Sequence, residues 1–528
     1  MTGLFVPLMN NDAAHHACIA LRMYLTGDYV NLVDFGSDYL DKPHLHFWLS
    51  AMSFKIFGVN SFAYKLPSLF FSIAGIYATY GLGKLLYNTQ TGKLAALILA
   101  SAFAFILSNS DVRMDAILTS CIALSCWQLV AYIHQRKFIN LAGAAFALAL
   151  GFSTKGAIAV FVPAAAIIFY ILYRKEWRSF LDPQWLLLLL LFAVLISPVL
   201  YCYYQQFNLH PEKVMRGKQH INGIKFILLN QSTERFSGKA FGGDSNKDYL
   251  FFIHSFAWAF APWMILAIAS LLERIKTLFQ RKEEWLTPGL FLLVLIGVSF
   301  SGFKLPHYLN IVFPAAAIFT ANYCLKQKQK EGNQKTFFII QLSVSFLLLL
   351  LTVLLNAWIF PVKQWWVIVI LIFLIAVFIY WLRSKEKILW NKIIALSTSG
   401  MVIFFFLMNT NFYPLLLQYQ GGQRLAWITK DKVDPESVYY WNKEGVSSYY
   451  FYAGGLAKPF SDSILLSQNE TWLLFEKKRE KEILATGYSL THRYEVVDFH
   501  VSRLTLKFLN PATREEQLST LILAKITK

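Results

Sequence analysis

The sequence predicts a mainly α, polytopic membrane protein that carries a small α/β domain at its C-terminal end. Three observations predict it. Hydrophobic residues make up 56% of the 528 residues and charged ones only 15%, which is more apolar surface than a soluble chain of this length can bury. Apolar runs follow one another from residue 62 to residue 409, each about the 20 residues that a bilayer demands. The basic residues behind the net charge of +18 sit in short clusters between those runs. That is the pattern of loops beside a membrane, so lipid and no nucleic acid is the expected partner.

Taken in order, the opening MTGLFVPLMN is apolar but too short for a full span. It is expected to be the stump or the end of a first helix. Residues 11–26 read as an amphipathic helix, Gly27-Asp28 as a turn, and the acidic stretch to Asp41 as irregular. A second short helix is expected over 43–58, with Pro43 at its first position. Both helices are too short or too polar to cross a bilayer and are expected to lie flat on its surface. Spans follow near 62–86, 93–109, 115–133, 138–153, 157–173, 185–204, 250–271, 287–303, 307–325, 336–359, 365–382 and 392–409. With the opening stump they make about 13 crossings.

The loops orient the spans. Arg136 and Lys137; Arg174, Lys175 and Arg178; Arg274, Lys276, Arg281 and Lys282; Lys326, Lys328 and Lys330; and Arg383, Lys385 and Lys387 share one side if the spans alternate. The positive-inside rule makes that side the cytoplasm. The opposite side receives the outer-face stretch 11–61, the loop 205–249 and everything after residue 409. Residues 420–528 lose the membrane pattern. Segments 438–441, 448–454, 471–478 and 501–509 read as strands of an α/β domain outside the cytoplasm. Of the five cysteines, Cys121, Cys126, Cys202 and Cys324 fall inside spans; with Cys18 they make no CxxC pair, and no disulfide framework is expected.

Residues 10–49 concentrate the polar chemistry at the water–lipid boundary. Asp12 reads as a general base or metal ligand, or as the N-cap of the helix that follows. His16 lies four residues on, hence on the same helix face. Lys42, beside Asp41, can hold a lipid phosphate or merely headgroups in general. Arg113 and Asp115 occupy a short outer loop, Lys155 and Lys304 outer helix junctions, and His307 and Tyr308 follow a proline. Singly, each lysine is an ordinary interfacial residue. Together, Lys42, Arg113, Lys155 and Lys304 oppose the positive-inside trend, and an anionic substrate such as a phosphate is the simplest reason. The outer loop holding Arg235 and Asp244 reads as a lid or as a plain surface loop. The sequence has no Walker sequence or nucleotide-binding glycine loop, so no nucleotide cofactor is expected.

These motifs have a familiar order. An Asp after the first apolar segment, GDY (27–29), YLDKPHLHFWL (39–49), FG (57–58), KLPS (65–68), SDVRMD (110–115), STKG (153–156), TERF (233–236), PW (262–263), FKLPHYLNIVFP (303–314) and NFYPLLLQYQ (411–420) follow one another. The pattern resembles the dolichyl-phosphate-mannose–protein mannosyltransferase superfamily, and in particular its bacterial branch with the lipid A aminoarabinose transferase. It spans about residues 4–420; the tail fits loosely.

The resemblance implies a GT-C fold and transfer of a sugar from a polyprenyl-phosphate carrier to a lipid, polysaccharide or protein acceptor at the outer face of a bacterial inner membrane. It places Asp12 as the catalytic aspartate, Lys42 at the donor phosphate and Asp41 at a carboxylate implicated in binding a divalent cation. Asp115, Lys155 and Tyr308 match cavity positions near phosphate or sugar. Arg113, Arg235, Lys304 and His307 are further substrate-binding candidates, and His16 and Asp244 further metal candidates. The chain departs from the family where Asp12-Ala13 replaces an Asp-Glu pair and Lys42-Pro43-His44 replaces KPP. The outer-loop histidine that helps bind metal in the lipid A enzyme has no clear match, Asp244 being nearest. The rival readings are a transporter of a lipid-linked or anionic substrate, which would keep its charges near the bilayer midplane, and a scaffold.

Overall fold

Asn11 caps the first helix: its Oδ1 accepts from Ala13 N at 2.8 Å, and Gly27, at φ 71°, ends α1 (Asp12–Thr26) in the left-handed conformation glycine tolerates. The acidic stretch is partly ordered. Asp34-Phe35-Gly36-Ser37 makes a two-residue hairpin between β1 (Val33–Asp34) and β2 (Ser37–Asp38), with Phe35 and Gly36 both at positive φ. After α2 (Leu45–Phe57) comes α3 (Ser61–Leu86), capped by Asn60. The computed structural model describes residues 2–236, 248–280, 283–328, 334–386, 388–461, 463–464 and 470–527.

The chain is a multi-pass membrane protein. Among the described residues, eight helices are long and apolar enough to cross a membrane: α3, Asp115–Gln135, Phe138–Lys155, Gln184–Asn208, Pro306–Lys328, Gln334–Ile359, Trp365–Arg383 and Leu389–Tyr419. Two expected spans are broken. Residues 93–109 divide into α4 (Thr89–Ala100) and α5 (Phe103–Leu107), and residues 250–271 divide around Pro262 into Phe251–Ala259 and Met264–Thr277. The breaks satisfy each other: Phe103 N donates to Ala261 O at 2.9 Å and Trp263 Nε1 donates to Ser101 Oγ at 2.9 Å. Irregular backbone at membrane depth is tolerated only when its polar groups are answered in this way.

Helices α6 (Asp115–Gln135), α7 (Phe138–Lys155) and α8 (Ile158–Arg174) complete the N-terminal half of the bundle. α3 packs closely on α6 because Gly75 and Gly81 leave the space that Ser120 and Trp127 fill. The most apolar span, Trp365–Arg383, is also the least covered, at 11% buried, as a lipid-facing helix should be.

The tail forms a four-stranded sheet in the order β3 (Val438–Tyr440), β4 (Glu470–Glu476), β6 (Ser519–Thr527), β5 (Ser489–Asp498). β3 and β4 are parallel; the other pairs are antiparallel. Two expected strands are corrected. Residues 448–454 belong to a helix, Val446–Ala453, between left-handed Gly445 and Gly454. Residues 501–509 are a turn and a short helix, Leu506–Leu509, anchored by Phe508 against Tyr419 and Phe499. α1 is packed between α2 and the Val446–Ala453 helix, which bury Ala13, Ala14, Ala17 and Ala20.

Candidate active site

Four separate chain segments bring charged groups to one end of the bundle. Asp12 opens α1, so its carboxylate sits where that helix's first free N–H groups point. The cap itself is Asn11, which leaves Asp12 free of that duty. Asp12 is half exposed, and its Oδ2 lies 3.9 Å from Arg113 Nη1. Arg113 also grips Asp111 at 2.8 Å, and Asn11 Nδ2 reaches the same carboxylate at 3.2 Å. Burial opposes the charge on Arg113, but Asp111 and Asp12 outweigh it and hold the guanidinium above its ordinary pKa.

Between Arg113 and Asp115 stands Met114, buried and at φ 75°. A left-handed non-glycine residue stores strain, and here it immediately precedes the helix that Asp115 starts. Asp115, 2% exposed, accepts from Lys155 Nζ at 2.6 Å and has His307 Nε2 at 3.8 Å. Lys155 in turn lies over the Tyr308 ring at 4.9 Å. Asp12, Arg113, Asp115, Lys155, His307 and Tyr308 thus form one connected cluster.

Lys42 and Asp41 pair at 2.8 Å, and Arg216 approaches Asp41 at 3.8 Å while binding Glu234 at 3.0 Å. Gln231 Nε2 donates to Asp41 O at 2.5 Å, and Gln231 Oε1 fills the space a Cβ on Gly156 would take, next to Lys155. The second patch therefore abuts the first. Lys304 is buried and turned toward the Tyr249 ring at 5.2 Å. Arg235 lies in the helix Gln231–Phe236, with its side chain outside the described residues; Asp244 lies outside them altogether.

Counting cations alone misreads this site. Lys42, Arg113, Lys155 and Arg216 each have an acid within ion-pair distance: Asp41, Asp111, Asp115 and Glu234. The cluster is an alternating network, which holds its members in place. Asp111, Arg216, Gln231 and Met114 were missed from sequence. Arg216 stands in the outer loop between Lys213 and Lys218, a basic run that could have marked it.

Of the metal candidates, His16 and Asp41 lie among the described residues and Asp244 does not. Among the described residues, no group of three or more His, Cys, Asp or Glu side chains could hold a metal ion. His16 is buried, its Nε2 3.4 Å from the Tyr39 hydroxyl, while Asp41 is engaged by Lys42.

Three buried histidines nonetheless matter to stability. Burial, followed by the charges of His15 and Lys42, pushes His16 well below its ordinary pKa. Burial pushes His44 down to about 4 and His46 to about 3. The unfolded chain therefore takes up these protons first as pH falls. Stability from neutral His44 and His46 is complete above pH 6.5 and is lost on descent toward pH 4 for His44 and pH 3 for His46. For His44 it amounts to at most about 3.5 kcal/mol, at ~1.4 kcal/mol per pKa unit. The thermal midpoint should fall across that window, and His44→Gln should flatten the fall; a flat wild-type profile would contradict this assignment.

Residues 41–202 match the family model described as dolichyl-phosphate-mannose-protein mannosyltransferase. The structure matches that of ArnT from Cupriavidus metallidurans bound to undecaprenyl phosphate with a TM-score of 0.75, at 15% identity, covering 99% of this chain and 95% of that one. The fold is GT-C. The apo state of the same ArnT matches with a TM-score of 0.73, at 15% identity, over 98% of this chain and 94% of that one. The undecaprenyl phosphate-α-4-amino-4-deoxy-L-arabinose arabinosyl transferase of Pseudomonas aeruginosa is 26% identical over 347 residues, 63% of this chain. The enzyme of that name from Pseudomonas paraeruginosa is 26% identical over 344 residues, again 63% of this chain. In both cases the chain covers 59% of the relative's length.

Proposed function

We propose that the chain is a membrane glycosyltransferase that moves a sugar from an undecaprenyl-phosphate-type carrier to an envelope acceptor of the lipid A type. The observation that carries the reading is the half-exposed Asp12 carboxylate, set beside a buried ion network at one end of an apolar bundle. Relatives named for arabinosyl transfer from undecaprenyl phosphate support it. The basic loops support a bacterial inner membrane location, with the site and the tail domain facing the periplasm.

The donor is already activated, so the enzyme has to orient the acceptor and stabilise the leaving group. Asp12 takes the proton from the acceptor oxygen as that oxygen bonds to the anomeric carbon. The bond from that carbon to the phosphate oxygen breaks, and the electron pair leaves on the lipid phosphate. Lys42 receives the phosphate, with Arg216 and Lys155 behind it. A single displacement inverts the anomeric centre. A divalent cation at Asp41 stays a separate proposal, and chelation of the purified enzyme tests it: loss of transfer restored by added cation supports it.

Lys42→Ala should weaken undecaprenyl phosphate binding by about 10-fold or more, since one charge-assisted contact is worth ~1.5–3 kcal/mol. Titration of purified protein in lipid nanodiscs with labelled undecaprenyl phosphate measures this. Saturable binding at one site per chain that weakens in the variant supports the reading. Absence of saturable binding in the wild type contradicts it.

A further inference from the structure

The segment that delivers Asp12 is held from both domains. From the membrane side, Lys65 of α3, fully buried, donates to Gly3 O at 3.0 Å and Val6 O at 2.6 Å. From the other side, Gln420, 1% exposed, accepts from Asn10 N at 2.5 Å and donates to Leu8 O at 2.9 Å. The Tyr452 hydroxyl accepts from Leu8 N at 2.7 Å and bonds Ser61 Oγ at 2.8 Å. Ser448 N, one helical turn before Tyr452, donates to Asn10 Oδ1 at 3.3 Å. Both main-chain groups of Leu8 are thus taken by side chains from the C-terminal part of the chain. Asn11 then caps α1 and leaves Asp12 facing Arg113.

We infer that the C-terminal domain is a positioning element of the site: through Gln420 and Tyr452 it fixes the main chain that places Asp12. The inference rests on the role proposed for Asp12. The physical ground is that a short segment without regular structure has no register of its own. Residues 6–11 lie between a short 3₁₀ turn, Thr2–Phe5, and α1, so their placement comes from the groups that bind their N–H and C=O. A displacement of about 1 Å at a reacting group costs about 10²-fold in rate. Gln420 and Tyr452 touch no reacting atom; they act through the backbone of Leu8 and Asn10. The tail is therefore no detachable appendage of the transmembrane part.

The test compares Tyr452→Phe and Gln420→Leu with Arg514→Gln in full-length protein. Arg514 ties the same tail to the bundle by donating to Ile359 O at 3.0 Å, and it reaches the Tyr419 hydroxyl at 3.4 Å, but it donates to none of residues 6–11. Tyr452→Phe and Gln420→Leu should lower kcat by about 10-fold and 10²-fold, with undecaprenyl phosphate binding unchanged. Amide exchange at Leu8 and Asn10 should quicken by about 10-fold in both. Arg514→Gln should keep kcat and the exchange at those amides. Unchanged kcat in the first two variants, or an equal loss in Arg514→Gln, overturns the inference. A wild type that binds donor but transfers nothing overturns the enzyme reading and the positioning role together; slow exchange at Leu8 and Asn10 then leaves a purely structural grip. Fast exchange there in the wild type overturns the grip alone.

Discussion

Asp12→Asn is expected to lower sugar transfer by about 10²–10⁴-fold, the usual worth of a positioned general base. The amide keeps the size of the side chain and Asn11 still caps α1, so folding should be undisturbed. Undecaprenyl phosphate binding should also persist, because Lys42 and Arg216 lie on another segment. The loss should therefore appear in kcat, measured by radiolabelled transfer under saturating donor. Arg113 loses one of its two acid partners in this variant but keeps Asp111 at 2.8 Å. Full transfer by Asp12→Asn would remove Asp12 from the mechanism.

Lys155→Met should have the largest effect on stability. It leaves the Asp115 carboxylate, 2% exposed, with His307 at 3.8 Å and the more distant Arg113 to answer its charge. Removing one member of a buried ion pair costs about 3–5 kcal/mol, because the other charge is left in a medium that cannot solvate it. Thermal unfolding in detergent should show a midpoint several degrees lower. Asp115→Asn combined with Lys155→Met should recover most of that loss, since no uncompensated charge remains. Transfer should stay low in the double variant, because the cation beside Tyr308 is gone. A single variant as stable as wild type would show that the pair does not form.

Much of this fold was legible because lipid leaves few alternatives. Apolar runs of bilayer length became helices at nearly the expected positions, and Asp115 and Lys155 fell at helix ends as read. The broken spans were illegible for a physical reason. The hydrogen bonds that make a break at Ser101 tolerable come from Ala261 and Trp263, far along the chain. The aromatic run Val446–Ala453 favours a strand by composition, but buried neighbours on its own sheet and on α1 make it a helix between two glycines. β5 escaped notice because its residues are largely polar and exposed, without the alternation that marks a half-buried strand. At the site, sequence supplied Asp12, Lys42, Arg113, Asp115 and Lys155, each standing in a short polar motif between apolar runs. It did not supply Arg216 and Glu234, because Arg216 meets Asp41 and Glu234 only after the outer loop has folded back.

The most direct measurement is transfer itself. Purified protein in lipid, given radiolabelled undecaprenyl-phosphate sugars and a lipid A-type glycolipid, should produce labelled glycolipid with inverted anomeric configuration. That product should be lost in Asp12→Asn and should require higher donor in Lys42→Ala. Wild-type protein that binds undecaprenyl phosphate but labels no acceptor across the envelope glycolipids supplied, or variants that transfer as well as wild type, would contradict the account.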